Sequence, residues 1–280
     1  MDSLRFGINR MVAPSMGLVD FMDLAAEVGG GGVELRNDLP GFDVVDNFDL
    51  GEVRDRLAER NLETLTINAV QHFNLPAALQ EAKSELQRLI RIGAELGRPA
   101  IVLCPHNDRS DSRSGAEMAR DTEAMLREYA PILEDEGVVG LVEPLGFPES
   151  SLRDPSLAIS IIGEIGSSAY RITLDTFHFA VAEQNPEDLG SAKVPADKIG
   201  IVHLSGVTKG GPVNSFRDPD RVYVNREDRC GNIESVERLV RAGYSGPFSF
   251  EPFAPTVHNL RPDELRSTII ESMRLISNNI

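Results

Sequence analysis

Four residues able to hold a metal or carry a proton each close an apolar stretch of this sequence. They are Glu143 after Val138, Val139 and Val142; Asp175 after Arg171 to Leu174; His203 after Ile199 to Val202; and Glu251 after Pro247 to Phe250. Three carboxylates and one imidazole form a mixed oxygen and nitrogen set. Such a set suits one divalent ion, Mn²⁺, Zn²⁺ or Co²⁺ with Mg²⁺ also admissible, and selects weakly among them. It leaves coordination positions for two substrate oxygens. Each residue alone also fits a duller role: Glu143 and Glu251 as helix caps or ion-pair partners, His203 as a hydrogen-bonded core histidine. Four such residues in phase favour a site.

Other polar residues stand close to the same stretch ends. His178 lies three residues beyond Asp175 and reads as a substrate contact rather than a ligand. His72 and His106 follow two earlier apolar stretches, as further ligands or as polar lining of a substrate site. Glu34 and Arg36 close another, with Arg36 either touching substrate oxygens or held in an internal salt bridge. Arg221 sits in an irregular segment and offers a planar fork of donors for a hydroxyl or carbonyl. Phe73, Phe147, Phe177, Phe179 and Phe253 neighbour these groups, either to wall off water or simply to pack.

The elements that must position them follow from periodicity. Short apolar runs at Leu4 to Ile8, Val33 to Arg36, Leu62 to Asn68, Ala100 to Cys104, Val138 to Glu143, Tyr170 to Asp175, Ile199 to His203 and Pro247 to Glu251 read as strands. Between them lie helical segments, near 19–28, 49–60, 79–96 and 114–134, after Pro155, from about Ile233, and over 263–277. In the third of these, Leu86, Leu89, Ile90, Gly93 and Leu96 share one face. Strict alternation of strand and helix calls for a parallel sheet. Eight repeats close most economically as an α/β (β/α)8 TIM barrel, one domain over 1–280. A doubly wound open sheet is the alternative, but no strand runs into a GxGxxG turn. In a barrel, residues at the C-terminal ends of different strands converge on one mouth.

The 280 residues carry a net charge of −16, which argues against nucleic acid held through the overall field. No apolar run approaches the ~20 residues that span a bilayer. Met1-Asp2-Ser3-Leu4-Arg5 lacks the basic start of a signal peptide. Two distant cysteines, Cys104 and Cys230, form no disulfide framework, so a cytoplasmic location is expected.

The whole pattern resembles the xylose-isomerase-like barrels of the sugar isomerase and epimerase superfamily, and within it the inosose (2-keto-myo-inositol) isomerases. The resemblance is carried by Val33-Glu34-Leu35-Arg36, Ile67-Asn68-Ala69-Val70, Phe73-Asn74, Val142-Glu143, Leu174-Asp175-Thr176-Phe177-His178-Phe179, His203-Leu204, Asp218 to Val222, and Phe250-Glu251-Pro252-Phe253. It implies one divalent metal on Glu143, Asp175, His203 and Glu251. It implies Glu143 and Glu251 as an acid/base pair working through an enediolate, with His178 and Arg221 on substrate oxygens. It implies a small carbohydrate as partner, no membrane or nucleic acid, a place in inositol catabolism, and admits a homodimer. Two stretches depart from it. Ser205-Gly206 stand where relatives commonly carry an acidic or Asn-Asp pair, and Asn225 to Gly231 replace a Pro-Gly-x-Gly. Three rival functions share the barrel: a dehydratase of inosose or dehydroshikimate type, a deoxyribose-repair endonuclease of the endonuclease IV type, and a non-enzymatic carbohydrate-binding protein.

Overall fold

Parallel strands occupy the middle of the chain's computed structural model, which describes residues 4–280. Met1, Asp2 and Ser3, on which the signal-peptide expectation partly rests, lie outside them. The strands are β1 (Phe6–Asn9), β2 (Gly32–Arg36), β3 (Glu63–Val70), β4 (Ala100–Leu103), β5 (Gly140–Val142), β6 (Tyr170–Asp175), β7 (Ile199–Leu204) and β8 (Phe248–Phe250). Each pairs in parallel with the next, and β8 returns to β1 with Phe6 opposite Phe248, so the sheet closes. This is the (β/α)8 barrel expected from the alternation, and closure excludes the open sheet.

The helices are α1 (Leu18–Glu27), α2 (Leu50–Glu59), α3 (Leu79–Ala94), α4 (Gly115–Glu136), α5 (Pro155–Ile165), α6 (Thr176–Val181), α7 (Asn232–Arg241), α8 (Pro255–His258) and α9 (Pro262–Ser277). Their starts are written in side chains. Asp49 and Asp154 accept backbone N–H groups at the starts of α2 and α5, and Ser114 with Glu117 forms a capping box on α4. Pro131 does not stop α4: Ala130 and Leu133 on its buried face hold the last turns, and Gly137 at φ +63° ends it. The short helix α6 follows β6 without a loop and is too brief for periodicity to reveal. No helix among the described residues is long and apolar enough to cross a membrane.

The barrel interior is stratified. Its lower layer is apolar, with Leu65, Val102, Leu141 and Ile201. Gly7 leaves room for that layer, since a Cβ there would stand 2.5 Å from Leu65 Cδ1. Its upper layer is polar and buried, and includes Asn9, Glu34, Asn68, Asp175, His203 and Glu251. Strand register sets neighbours there: Asp175 lies opposite His203, and Asn9 opposite Glu34.

Candidate metal centre and substrate pocket

Glu143, Asp175, His203 and Glu251 meet at the C-terminal mouth, each offering a donor atom within 4.8 Å of the others. All four are buried. His203 Nδ1 is the hub, 3.0 Å from Glu143 Oε1, 3.2 Å from Glu251 Oε2 and 4.0 Å from Asp175 Oδ2. Asp175 divides its oxygens between two tasks. Oδ1 caps α6 by accepting from the N–H groups of Phe177 and His178, at 2.7 and 3.2 Å. Oδ2 faces the cluster. The strand end thus turns into α6 through the same carboxylate that joins the site.

The sequence pattern left Glu34 without an assignment beyond the end of β2. Its side chain is fully buried beneath His203, and Oε2 accepts from His203 Nε2 at 3.0 Å, Thr66 Oγ1 at 2.6 Å and Asn68 Nδ2 at 3.2 Å. Glu34 thereby fixes the ring through Nε2 and aims Nδ1 at the three carboxylates, where a divalent ion would take the place of the Nδ1 proton. Asn9 was also missed; its Nδ2 donates to Glu251 Oε1 at 3.1 Å. Cys104 was read only as a compartment signal, yet its thiol donates to Glu143 Oε2 at 3.4 Å. Burial, reinforced by the Glu143 charge, pushes that thiol's pKa well up, so it is a proton donor and no nucleophile.

Protein groups alone set strong fields here. Burial opposes a charged His203, but Glu34, Glu251 and Glu143 outweigh it and raise its pKa well above the ordinary value. Burial likewise opposes charge on Glu251, and His203, Arg221 and Arg36 overcome it, bringing the carboxyl well below its usual range. Asp175 shifts the other way, because burial exceeds the help of Arg221. Arg221 Nη2 joins the two carboxylates, touching Asp175 Oδ2 at 2.6 Å and Glu251 Oε2 at 3.0 Å.

The arginines are more deeply committed than a free substrate hook. Arg221 is 1% exposed, stacks over Phe177 and Phe253, and gives Nε to Ser205 Oγ at 2.9 Å. The departed segment brings it there: Gly206 and Val222 pair across it, and Asp228 accepts from the N–H groups of Val207, Cys230 and Asn232. Arg36 is held by Asp38 through two bonds of 2.7 Å and by Glu251 Oε1 at 2.7 Å, the internal salt bridge foreseen as its alternative. Both arginines still line the cavity above the cluster, of about 260 Å³, with His72, His178, Cys104, Phe147 and Phe253. His178 Nδ1 is buried without a partner among the described residues, and burial with Arg221 lowers its pKa to about 4. Phe73 and Phe179 belong to the outer core instead. His106 is turned to His72, Nδ1 to Nδ1 at 3.2 Å.

The donor set fits a divalent ion. Ligand atoms roughly 2.0–2.2 Å from one centre stand about 2.9–3.6 Å apart. The contacts of His203 Nδ1 with Glu143 and Glu251 already lie in that range; Asp175 Oδ2, at 4.0 Å from Nδ1, and the donor atoms that stand as much as 4.8 Å apart would draw inward around an ion.

A closed (β/α)8 barrel with this buried four-residue cluster at its mouth defines a class of barrel proteins rather than a single activity. The chain belongs to the xylose isomerase-like TIM barrel family, whose model matches residues 22–277. It is 27% identical over 222 residues to an inosose isomerase of Halalkalibacterium halodurans, covering 78% of this chain and 77% of that one. A xylose isomerase domain containing protein from Salmonella typhimurium LT2 superposes with a TM-score of 0.88 at 34% identity, over 97% of each chain. The IolI protein, solved with a bound zinc atom, has the same fold, with a TM-score of 0.89 at 21% identity over 98% of each chain.

Proposed function

We propose that this protein is a metal-dependent isomerase or epimerase of a ketose or keto-inositol, its domain spanning 1–280. The observation that carries the reading is one buried pair: Glu143 and Glu251 flank His203 Nδ1 at 3.0 and 3.2 Å and line a single cavity. The inosose isomerase relative supports the substrate class. A divalent ion held by Glu143, Asp175, His203 and Glu251 supplies stabilisation of negative charge developing on substrate oxygens. One glutamate removes the proton beside the carbonyl, and the other returns a proton to the neighbouring carbon or the opposite face. Arg221 and Arg36 hold the carboxylates in place and present their remaining N–H groups to the cavity. Phe147 and Phe253 offer flat apolar faces to a ring.

Cavity size and charge bear on the substrate. About 260 Å³ suits one monosaccharide-sized ring. Both lining arginines are neutralised by Asp38, Asp175, Asp218 and Glu251, so an uncharged polyol fits better than a sugar phosphate.

The test incubates the metal-loaded protein with a panel of keto-inositols and ketoses in deuterated water. Deuterium should enter the carbon beside the carbonyl of at least one substrate, with the product otherwise unchanged in mass. No incorporation with any substrate, beside an active control enzyme, would sink the proton-transfer reading; loss of water would point to a dehydratase. His178 has a separate role, as a neutral imidazole whose open Nδ1 meets a substrate hydroxyl. His178→Ala should raise KM about tenfold, the scale of one hydrogen bond, with metal content unchanged. Loss of the metal in that variant would overturn the division between His178 and Asp175.

A further inference from the structure

Cys104 stands where the apolar lower layer of the barrel meets the polar mouth. Its backbone is fixed on both sides: its N–H donates to Val70 O at 3.0 Å, and its carbonyl accepts from the N–H of Phe73 at 3.1 Å. Below, it packs with Ala69, Val102, Leu141 and Ile201. A buried cysteine usually acts as a small hydrophobe. Here the residue also lines the cavity above the cluster, and its sulfur donates to Glu143 Oε2 at 3.4 Å.

The two oxygens of Glu143 thus have different partners. Oε1 faces His203 Nδ1 at 3.0 Å, on the side of the ligand cluster. Oε2 has the thiol as its recorded hydrogen-bond donor among the described residues. Glu251 is built otherwise: Oε1 takes Arg36 and Asn9, and Oε2 takes Arg221. Charged donors bind a carboxylate roughly twice as strongly as neutral ones. A thiol is a weaker donor still. It can set the plane of a carboxylate while withdrawing little of its affinity for a proton.

Resting on the function proposed above, we propose that Cys104 is a positioning residue for Glu143. Its S–H fixes the carboxylate so that Oε1 serves the ligand cluster and Oε2 is presented to the substrate as the proton-transfer oxygen. The weak donor suits an oxygen that must both accept and release a proton during turnover. An unheld carboxylate would rotate and exchange the two oxygens, losing the alignment on which proton transfer depends.

Two measurements test this. The first needs no turnover. The S–H stretch absorbs in an infrared window clear of other protein bands, and Cys104→Ser identifies the Cys104 contribution against that of Cys230. In the wild type this band should lie at the lowered frequency of a bonded thiol and should rise in Glu143→Gln, where the acceptor is neutral. A band at the free-thiol frequency in the wild type would overturn the proposal. The second uses the metal-loaded enzyme. Cys104→Ala should lower kcat about tenfold, the scale of one hydrogen bond, with KM and metal content within about twofold. Cys104→Ser, which keeps a donor, should recover most of the loss. Equal loss in both variants, with metal content falling in parallel, would make Cys104 a packing residue and overturn the idea. A bonded band in a wild type that exchanges no proton would count against the function proposed above and leave the contact standing.

Discussion

Glu251→Gln should lower deuterium exchange into substrate by about a thousandfold or more, within the range that one acid or base contributes. The substitution preserves shape but removes both the charge and the proton-carrying oxygen. It also meets a geometric conflict. Glu251 Oε1 accepts from Arg36 at 2.7 Å and Asn9 at 3.1 Å, and Oε2 accepts from Arg221 at 3.0 Å. An amide must turn its NH₂ toward one of these donor groups, so a former contact becomes a repulsion whichever way it points. If the NH₂ faces Arg221 and His203, the cluster also loses a ligand.

The fold should survive the change. Removing one partner of a buried ion pair is damaging when the other is left alone. Here Arg36 keeps Asp38, with bonds of 2.7 Å from both Nε and Nη2, and Arg221 keeps Asp175 at 2.6 Å. The measurement is therefore a pair: exchange followed by nuclear magnetic resonance, and metal content of the same sample. A folded variant that keeps its metal and exchanges within tenfold of the wild type would remove Glu251 from the proton path.

The four cluster residues were legible because each ends an apolar run, and a closed barrel brings such ends together. Their partners were not, for reasons of reach. Glu34 contacts His203 across 169 positions of sequence, and Asn9 contacts Glu251 across 242. A signal for Glu34 did exist. In Val33-Glu34-Leu35-Arg36 the charged residues alternate with apolar ones, so both charged side chains share one strand face. In a barrel whose helices take the apolar face, that face is the interior. Arg221 was legible as a residue of the site and not in its manner of work. The segment Ser205 to Gly231 has no periodicity, and only its folding back, with Gly206 paired to Val222, shows the guanidinium spent on Asp175 and Glu251. The helix α6 gives no periodicity, because its six residues complete fewer than two turns, and Asp175 is its cap as well as a cluster member.

Replacing Glu34 should weaken metal binding by about 10- to 100-fold, the usual range for a carboxylate behind a ligating histidine. Two variants separate the causes. Glu34→Gln keeps an oxygen that can accept from Nε2 of His203, Thr66 and Asn68 but removes the charge, and should lie at the weak end of that range. Glu34→Leu leaves the Nε2–H buried without an acceptor and frees the ring to turn, so it should lie at the strong end. The physical link runs through the imidazole. When a cation draws on the Nδ1 lone pair, the Nε2–H becomes more acidic, and its bond to a carboxylate strengthens. Binding at Nδ1 and the bond at 3.0 Å to Glu34 therefore support each other. Competition against a chromophoric chelator gives the affinity of each variant, and circular dichroism checks that the barrel has formed. Affinities within twofold of the wild type in both folded variants would show that His203 needs no help from Glu34. Loss in Glu34→Leu with recovery in Glu34→Gln would assign the effect to ring orientation, whereas equal losses would assign it to the buried charge.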